Sequence, residues 1–240
     1  MGRPAYRELY EHLKRDIMEQ KYPVGELLPT EGQLEQMFAV SRSTIRRAVG
    51  MLAQEGFVEV KQGRGTLVLD YKAKQDLKQV TSVTETLRKK GYTVTVGSMY
   101  IDMVEAPSHV SQALMLKTDK RVARVQRIQN ANGCPIAIMV NYIPASLVPG
   151  FVEYTDRFCG LYQFLEEHYH LVIEEVHDKI FAKNADFTEA QMLGVPVGEA
   201  LLCFYRTCYQ AGQPICFDDA KLIGKKYEVE NQVRGRMRVY

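Results

Sequence analysis

The sequence predicts an α+β fold in two parts: three helices that lead into a β-hairpin, then a larger, mainly antiparallel sheet flanked by helices. Two observations carry this prediction. Within the first seventy residues, three apolar stripes at helical spacing precede two alternating runs joined by glycines. Farther along, one pattern of residues occurs twice at an offset of 79 positions, which is typical of a duplicated strand–turn–strand unit.

The first two helices are predicted from apolar spacing and from the residues that interrupt it. An apolar stripe at helical spacing covers about 4–21 and consists of Tyr6, Leu9, Tyr10, Leu13 and Ile17. The stretch YPVGELLPT, with two prolines and a glycine, ends this helix. Thr30, with Gln33 three positions later, has the spacing of a capping box and predicts a second helix over about 31–38.

The third helix and the hairpin complete a recognisable order of elements. After a short turn, an apolar stripe formed by Ile45, Val49 and Leu52 predicts a helix over about 42–55 that ends at Gly56. The alternating runs FVEVK and TLVLD, joined by QGRG, predict a hairpin. This order is that of a winged helix–turn–helix, whose third helix enters the major groove of DNA.

Positive charge is concentrated in the third helix and the hairpin, although the whole chain carries a formal charge of only +2. Residues 41–66 hold five basic and two acidic side chains. At about 100° per residue, Arg46 and Arg47 fall on the side of the helix opposite the apolar stripe. Such a surface fits a phosphate backbone, and the alternative is an ordinary solvated helix face.

The second half of the chain contains the repeat. Residues 112–136 align without gaps on 191–215, and Arg127 matches Arg206. Each copy predicts a strand, a G-x-P-I turn and a second strand, so two copies predict a pseudo-symmetric antiparallel sheet. The polar residues 70–80 show no clear periodicity and are predicted to be a linker.

Three predicted absences follow from composition and spacing. No run of eighteen apolar residues and no apolar signal region occur, so we expect a cytoplasmic protein without a membrane span. The five cysteines never show C-x-x-C spacing, which predicts reduced thiols and no metal site. No nucleophile–base pair and no phosphate-binding glycine loop are present, so neither catalysis nor a cofactor is predicted.

Two long segments resemble a known family. LPTEGQLEQMFAVSRSTIRRAVGMLAQEGFVEVKQGRGTLV resembles the winged-helix signature of GntR-type transcriptional regulators through its S-R-x-T-x-R and G-R-G-T-x-V motifs. The later segments RIQNANGCPI, NYIPASLVPGF, GLYQFLEE and KKYEVE resemble the ligand-sensing UTRA domain of the HutC branch, an α/β domain similar in fold to chorismate lyase.

The resemblance implies a homodimeric repressor that binds a palindromic, double-stranded DNA operator and responds to a small-molecule effector. The DNA-binding domain would span 1–69, the linker 70–80, and the effector-binding and dimerisation domain 81–240. A chorismate-lyase-like enzyme fused to a DNA-binding domain is the alternative. A DNA architectural protein without a ligand is disfavoured by the large second domain.

The resemblance also implies which residues contact DNA. Those on the third helix are Ser41, Arg42, Ser43, Thr44 and Arg46, to which the exposed helix face adds Arg47, and those on the hairpin tip are Gly63, Arg64, Gly65 and Thr66. Arg64 would enter the minor groove. Gly32 departs from the family pattern, in which a polar or basic residue often follows the glutamate.

The effector site implied by the resemblance comprises Ser82, Thr84, Arg127, Gln129, Met139, Tyr162 and Tyr227. Related sensors often bind a sugar phosphate, but Gln129 stands where a second arginine is common and Gly160 where a serine is common. With fewer anion ligands, the sequence predicts a less anionic or differently shaped metabolite. Alternatively, Arg127 pairs with a nearby carboxylate, and the two tyrosines are ordinary core-edge aromatics.

Overall fold

The computed structural model describes residues 4–155 and 157–235, so the predicted domain ends at 1–3 and 236–240 lie outside it. The chain divides into two compact units, with the change from the first to the second between Lys72 and Ala73. None of the helices in the described ranges is both long enough and apolar enough to cross a bilayer.

The first unit has the predicted order of elements. Its helices are α1 Ala5–Met18, α2 Glu31–Phe38 and α3 Arg42–Gln54, and its strands are β1 Val58–Lys61 and β2 Gly65–Val68. β1 and β2 form an antiparallel hairpin. The apolar stripes of the helices meet in one core, in which Leu13, Ile45 and Leu52 have no exposed surface. The winged helix–turn–helix prediction is therefore confirmed.

Capping residues determine where α2 and α3 begin. The Thr30 side chain accepts a hydrogen bond from the backbone of Gln33, whose side chain accepts from the Thr30 backbone, so the predicted capping box is present. Ala39 ends α2 in the left-handed region at φ 52°. Ser41 then caps α3 by accepting from the Thr44 amide at 3.4 Å. The tight turn between the two helices positions the N-terminus of α3.

The second unit is built around a six-stranded sheet. Its helices are α4 Val83–Lys89, α5 Ser108–Ala113, α6 Leu161–Tyr169 and α7 Phe187–Leu193. The sheet has the order β4-β5-β6-β9-β8-β7, formed by β4 Val94–Glu105, β5 Arg121–Ala131, β6 Cys134–Pro144, β7 Glu175–Asn184, β8 Ala200–Gln210 and β9 Gln213–Ile223. The two copies of the repeat are β5–β6 and β8–β9, and β6 pairs antiparallel with β9. The mainly antiparallel sheet is as predicted.

The structure differs from the prediction in the segment 70–80. Within it, Ala73–Asp76 form β3, which pairs in parallel with β10, Tyr227–Glu230. Ala73 and Gln75 are buried and the residues between and after them are exposed. Buried and exposed residues alternate along β3, but its buried positions hold no large apolar side chain, and its partner strand β10 is distant in sequence. The local sequence pattern therefore does not predict this strand.

Candidate functional site

The exposed side of α3 presents the residues predicted to contact DNA. Ser41, Arg42 and Ser43 are exposed at its beginning, and Thr44 is half-buried. The side chains of Arg42 and Arg46 are 68% and 70% exposed. The opposite side of the same helix is buried in the core, so α3 is anchored along one edge and open along the other.

The two exposed arginines each meet a carboxylate of α2. Arg42 Nε donates to Glu35 at 3.0 Å, and Arg46 Nε donates to Glu31 at 2.9 Å. The hydrogen bond from Arg46 lowers the pKa of Glu31. In both pairs the hydrogen bond uses Nε. Within the part of the chain that the structure describes, the Nη groups of Arg42 and Arg46 have no hydrogen-bond partner and can donate to an acceptor outside the protein.

Arg47 has a different environment. Its guanidinium carbon lies 3.9 Å from the centre of the Tyr6 ring on α1, a cation–π contact. The side chain is exposed, as predicted, but it is partly held by α1.

The hairpin tip depends on two glycines. Gly63 and Gly65 have φ values of +73° and +100°, in the region that residues with a Cβ rarely adopt. Between them lies the exposed Arg64, whose amide donates to Lys61 O at 2.9 Å and closes the turn. Thr66 is half-buried and pairs with Val60. The tip therefore presents an arginine on a narrow, glycine-flanked turn.

The second unit holds a narrow cavity lined by residues of α4, α6 and the sheet. Five of the predicted effector residues line it: Ser82, Thr84, Arg127, Met139 and Tyr162. Sequence reasoning missed further polar lining residues, namely Gln75, Asn141, Arg206 and Asp218.

Arg127 is buried at the cavity with few partners. Arg127 is only 4% exposed, and its Nη1 donates to Cys159 O at 3.2 Å. Nε is buried without a hydrogen-bond partner, and no described carboxylate lies within ion-pair distance. Burial lowers the pKa of Arg127, and the attraction of Asp218 opposes this. Among the described residues, the structure does not show the carboxylate pair that was the alternative interpretation.

Asp218 is the centre of a buried hydrogen-bond cluster. Tyr162 Oη donates to Oδ2 at 2.6 Å, and Asn141 Nδ2 donates to Oδ1 at 2.6 Å. Cys216 Sγ also donates to Oδ1, at 3.1 Å. Burial, followed by the charge of Asp218, raises the pKa of Tyr162, so its hydroxyl stays protonated as a donor. Both carboxylate oxygens accept, as in an ionised carboxylate.

Arg206 occupies the position that matches Arg127 in the repeat, but its charge is already paired. Nε and Nη2 donate to the two oxygens of Asp178 at 2.6 and 2.7 Å, and Nη1 donates to Thr81 O at 2.7 Å. Burial opposes the charge, but the bonds with Asp178 raise the pKa of Arg206 above its ordinary value. The repeat alignment was the signal that could have identified this residue.

Two predicted effector residues are not among the residues that line the cavity. Gln129 is fully buried and donates to Thr95 O at 3.2 Å, while its Oε1 accepts from Thr84 Oγ1 at 3.4 Å. Tyr227 is 1% exposed and donates to Gln75 Oε1 at 2.9 Å. Gln129 contacts Thr84 and Tyr227 contacts Gln75, and both of these neighbours line the cavity.

Within the described ranges, no group of three or more His, Cys, Asp or Glu side chains is arranged to hold a metal ion.

Two family models match the chain. The model described as bacterial regulatory proteins, gntR family, matches residues 5–68, and the UTRA domain model matches residues 73–228.

Individual proteins give the same result over nearly the whole chain. The HTH-type transcriptional repressor NagR of Bacillus subtilis is 29% identical over 93% of this chain and 92% of its own length. The HTH-type transcriptional regulator Rv0792c of Mycobacterium tuberculosis is 31% identical over 88% of this chain and 79% of its own. The crystal structure of PhnF from Mycobacterium smegmatis shares the fold, with a TM-score of 0.64, 22% identity, and coverage of 95% of this chain and 99% of that one.

Proposed function

Because the chain belongs to the gntR family of bacterial regulatory proteins and carries a UTRA domain, it is a ligand-responsive, DNA-binding transcriptional regulator, and we propose that it represses by binding a palindromic operator as a homodimer. The observation that carries the DNA-binding role is the exposed arginine pair of α3 with its free Nη groups. A single winged helix–turn–helix makes few contacts, and two on paired half-sites double them.

The proposed DNA contacts divide into positioning and reading. Ser41, Ser43 and Thr44 donate to phosphate oxygens beside the amides at the N-terminus of α3, which favours anions. Arg42 and Arg46 donate through Nη1 and Nη2 to O6 and N7 of guanine, the commonest specific contact in the major groove. Arg47 contributes to the attraction of the backbone. Arg64, flanked by Gly63, Gly65 and Thr66, enters the minor groove.

The proposed effector site is the cavity of the second unit. Arg127 holds the negatively charged group of a small metabolite, and Ser82, Thr84, Met139 and Tyr162 contact the rest of it. Occupancy of the cavity releases the operator, through a coupling of about 1–3 kcal/mol that is typical of such linkage. Under this proposal 1–69 binds DNA, 81–240 together with β3 binds effector and partner subunit, and the protein works in the cytoplasm.

The rival enzyme is not supported by the comparisons. The relatives described above are named as a transcriptional repressor and a transcriptional regulator, and the second part of the chain matches the UTRA domain model.

The proposal is tested by selecting duplexes from a random library and measuring affinity against salt. We expect an enriched palindromic sequence whose binding weakens by about 10³- to 10⁵-fold between about 50 and 200 mM salt, as for proteins with about six to ten phosphate contacts. Equal affinity for the selected and a scrambled duplex would contradict specific recognition.

Gly32→Arg is expected to strengthen DNA binding. A Cβ at Gly32 meets no atom within 4 Å, and the residue is exposed on α2 beside Glu31. An arginine there can reach a phosphate, so the slope of log K against log salt should steepen by about 0.9 for each added contact. Gly32→Gln is the control, since it gains helix propensity without charge. An unchanged salt slope in Gly32→Arg would place this position away from the DNA.

The double variant Glu31→Gln, Glu35→Gln is expected to bind random DNA more tightly but to discriminate less. It removes two negative charges near the proposed phosphate contacts and removes the ion pairs that orient Arg46 and Arg42. Exposed pairs contribute little, so the ratio of operator to random-DNA affinity should fall by only about 2- to 5-fold per pair. The measurement is competition with random duplex. Glu59→Gln, in the Lys61 pair of β1, is the control.

A further inference from the structure

Without a ligand, the positive charges of the side chains that line the cavity are already matched by nearby negative charges. Arg127, Arg206 and Asp218 line it, and the charge of Arg206 is matched by Asp178 through two hydrogen bonds. This leaves one cation, Arg127, and one anion, Asp218. We infer that the effector is a zwitterion, with a carboxylate for Arg127 and an amino group for Asn141 and Asp218. The inference rests on the proposed function, in which this cavity binds the effector.

The acidic end of the ligand is defined by Arg127. Its Nε has no hydrogen-bond partner although it is buried, and the one bond found, from Nη1, goes to a neutral carbonyl. A planar guanidinium matches a carboxylate with two parallel N–H···O bonds. The missing partner is therefore an anionic, planar acceptor.

The amino end is defined by Asn141 and Asp218. Asn141 Oδ1 is buried without a hydrogen-bond partner, because Nδ2 is directed to Asp218. Asp218 accepts from Asn141, Tyr162 and Cys216 within 3.1 Å and from Cys208 at 3.9 Å, so its negative charge is met only by neutral donors. An ammonium group has several donors and no acceptor, so it satisfies the orphaned amide oxygen of Asn141 and places a positive charge beside Asp218.

Charge balance selects among classes of ligand. A zwitterion leaves the buried charges equal, whereas a phosphate monoester adds about two negative charges against one free guanidinium. Arg206 is committed to Asp178, and Gln129 is neutral and bonded to Thr95 and Thr84. A dianion would therefore be buried without sufficient compensation.

The test is a thermal-shift screen of the full chain. The probes are the common α-amino acids, β-alanine and 4-aminobutyrate, with glucose 6-phosphate and inorganic phosphate alongside. We expect at least one free amino acid to raise the melting midpoint saturably, and its N-acetyl and carboxamide derivatives to bind measurably but more weakly. The inference is overturned if no amino acid shifts the midpoint, if the N-acetyl form binds as well as the free one, or if a phosphate compound alone binds.

Two variants separate the ends of the ligand. Asp218→Asn retains the side-chain shape. It should weaken binding of the free amino acid about 10- to 150-fold, as expected for one charge-assisted bond, while the affinity for the N-acetyl form is unchanged or higher. Arg127→Gln should weaken both forms. Arg124→Gln, whose partner Asp102 is outside the cavity lining, should change neither. Equal loss of both forms in Asp218→Asn, with the apo melting midpoint preserved, would overturn the role of Asp218.

Operator binding by the ligand-free protein keeps the two proposals distinguishable. If the selected duplex binds and the amino-acid screen fails, the zwitterion inference alone is wrong. If no duplex is selected at all, the proposed function fails, whatever the screen shows.

Discussion

Arg46→Ala is expected to weaken operator binding by about 25-fold to 2 × 10⁴-fold in a dimer, because a bidentate contact to guanine is worth about 5- to 150-fold and each of two half-sites loses one. The side chain is 70% exposed and contributes nothing to the core, so the melting midpoint should stay at the wild-type value. Fluorescence anisotropy with the selected duplex at fixed salt gives the affinity.

The contribution of Arg46 to sequence-specific binding can be separated from its contribution to non-specific DNA binding. Binding of Arg46→Ala to random duplex should fall much less than binding to the operator, because Arg46 is assigned to a base edge. Arg15→Ala is the matched control, since Arg15 is an exposed arginine on α1 whose side chain contacts His12. Operator affinity within a factor of about two of the wild type for Arg46→Ala would refute the recognition-helix assignment.

Arg206→Ala is expected to destabilise the second unit by about 3–5 kcal/mol, as removal of one partner from a buried ion pair usually does. The substitution leaves Asp178, whose side chain is 14% exposed, without its two hydrogen bonds, and removes the donor to Thr81 O. For a domain of this size the melting midpoint should fall by about 6–20 °C. Calorimetry measures the melting of both units in one scan, and the loss of stability should be confined to the second unit.

Arg124→Ala is the control for burial. Arg124 also forms two hydrogen bonds to one carboxylate, that of Asp102, at 2.9 and 2.6 Å, but these side chains are 31% and 22% exposed. Water can replace the lost partner there, so the loss should be about 1 kcal/mol or less. If the two variants lost equal stability, burial would not be what makes the Arg206 pair important.

The first unit was predictable because its signals are local. The capping box of Thr30 and Gln33 and the stripe of Ile45, Val49 and Leu52 each lie within one or two helical turns, and the structure shows them as expected. Glycine at 63 and 65 likewise marks the hairpin turn without reference to the rest of the chain.

The cavity was predictable only in part, because its partners are distant in sequence. Arg206 meets Asp178 across two paired strands, and Asp178 lies outside both copies of the repeat. Gln129 was assigned to the ligand by its place in a motif, but hydrogen bonds to Thr95 and Thr84 use its amide. The periodicity of the sequence predicts a strand and which of its residues share a face. It does not reveal which polar group a neighbouring strand places beside them.

The pairing of β3 with β10 also sets an order of events during synthesis. Tyr227 donates to Gln75 across 152 positions of the chain. A ribosome adding about 5–20 residues per second needs about 8–30 s to make that stretch. Gln75, which lines the cavity, has emerged long before the strand that holds it exists. The winged helix–turn–helix can thus fold on the nascent chain, whereas a nascent regulator acquires its sensor only after β10 has been synthesised.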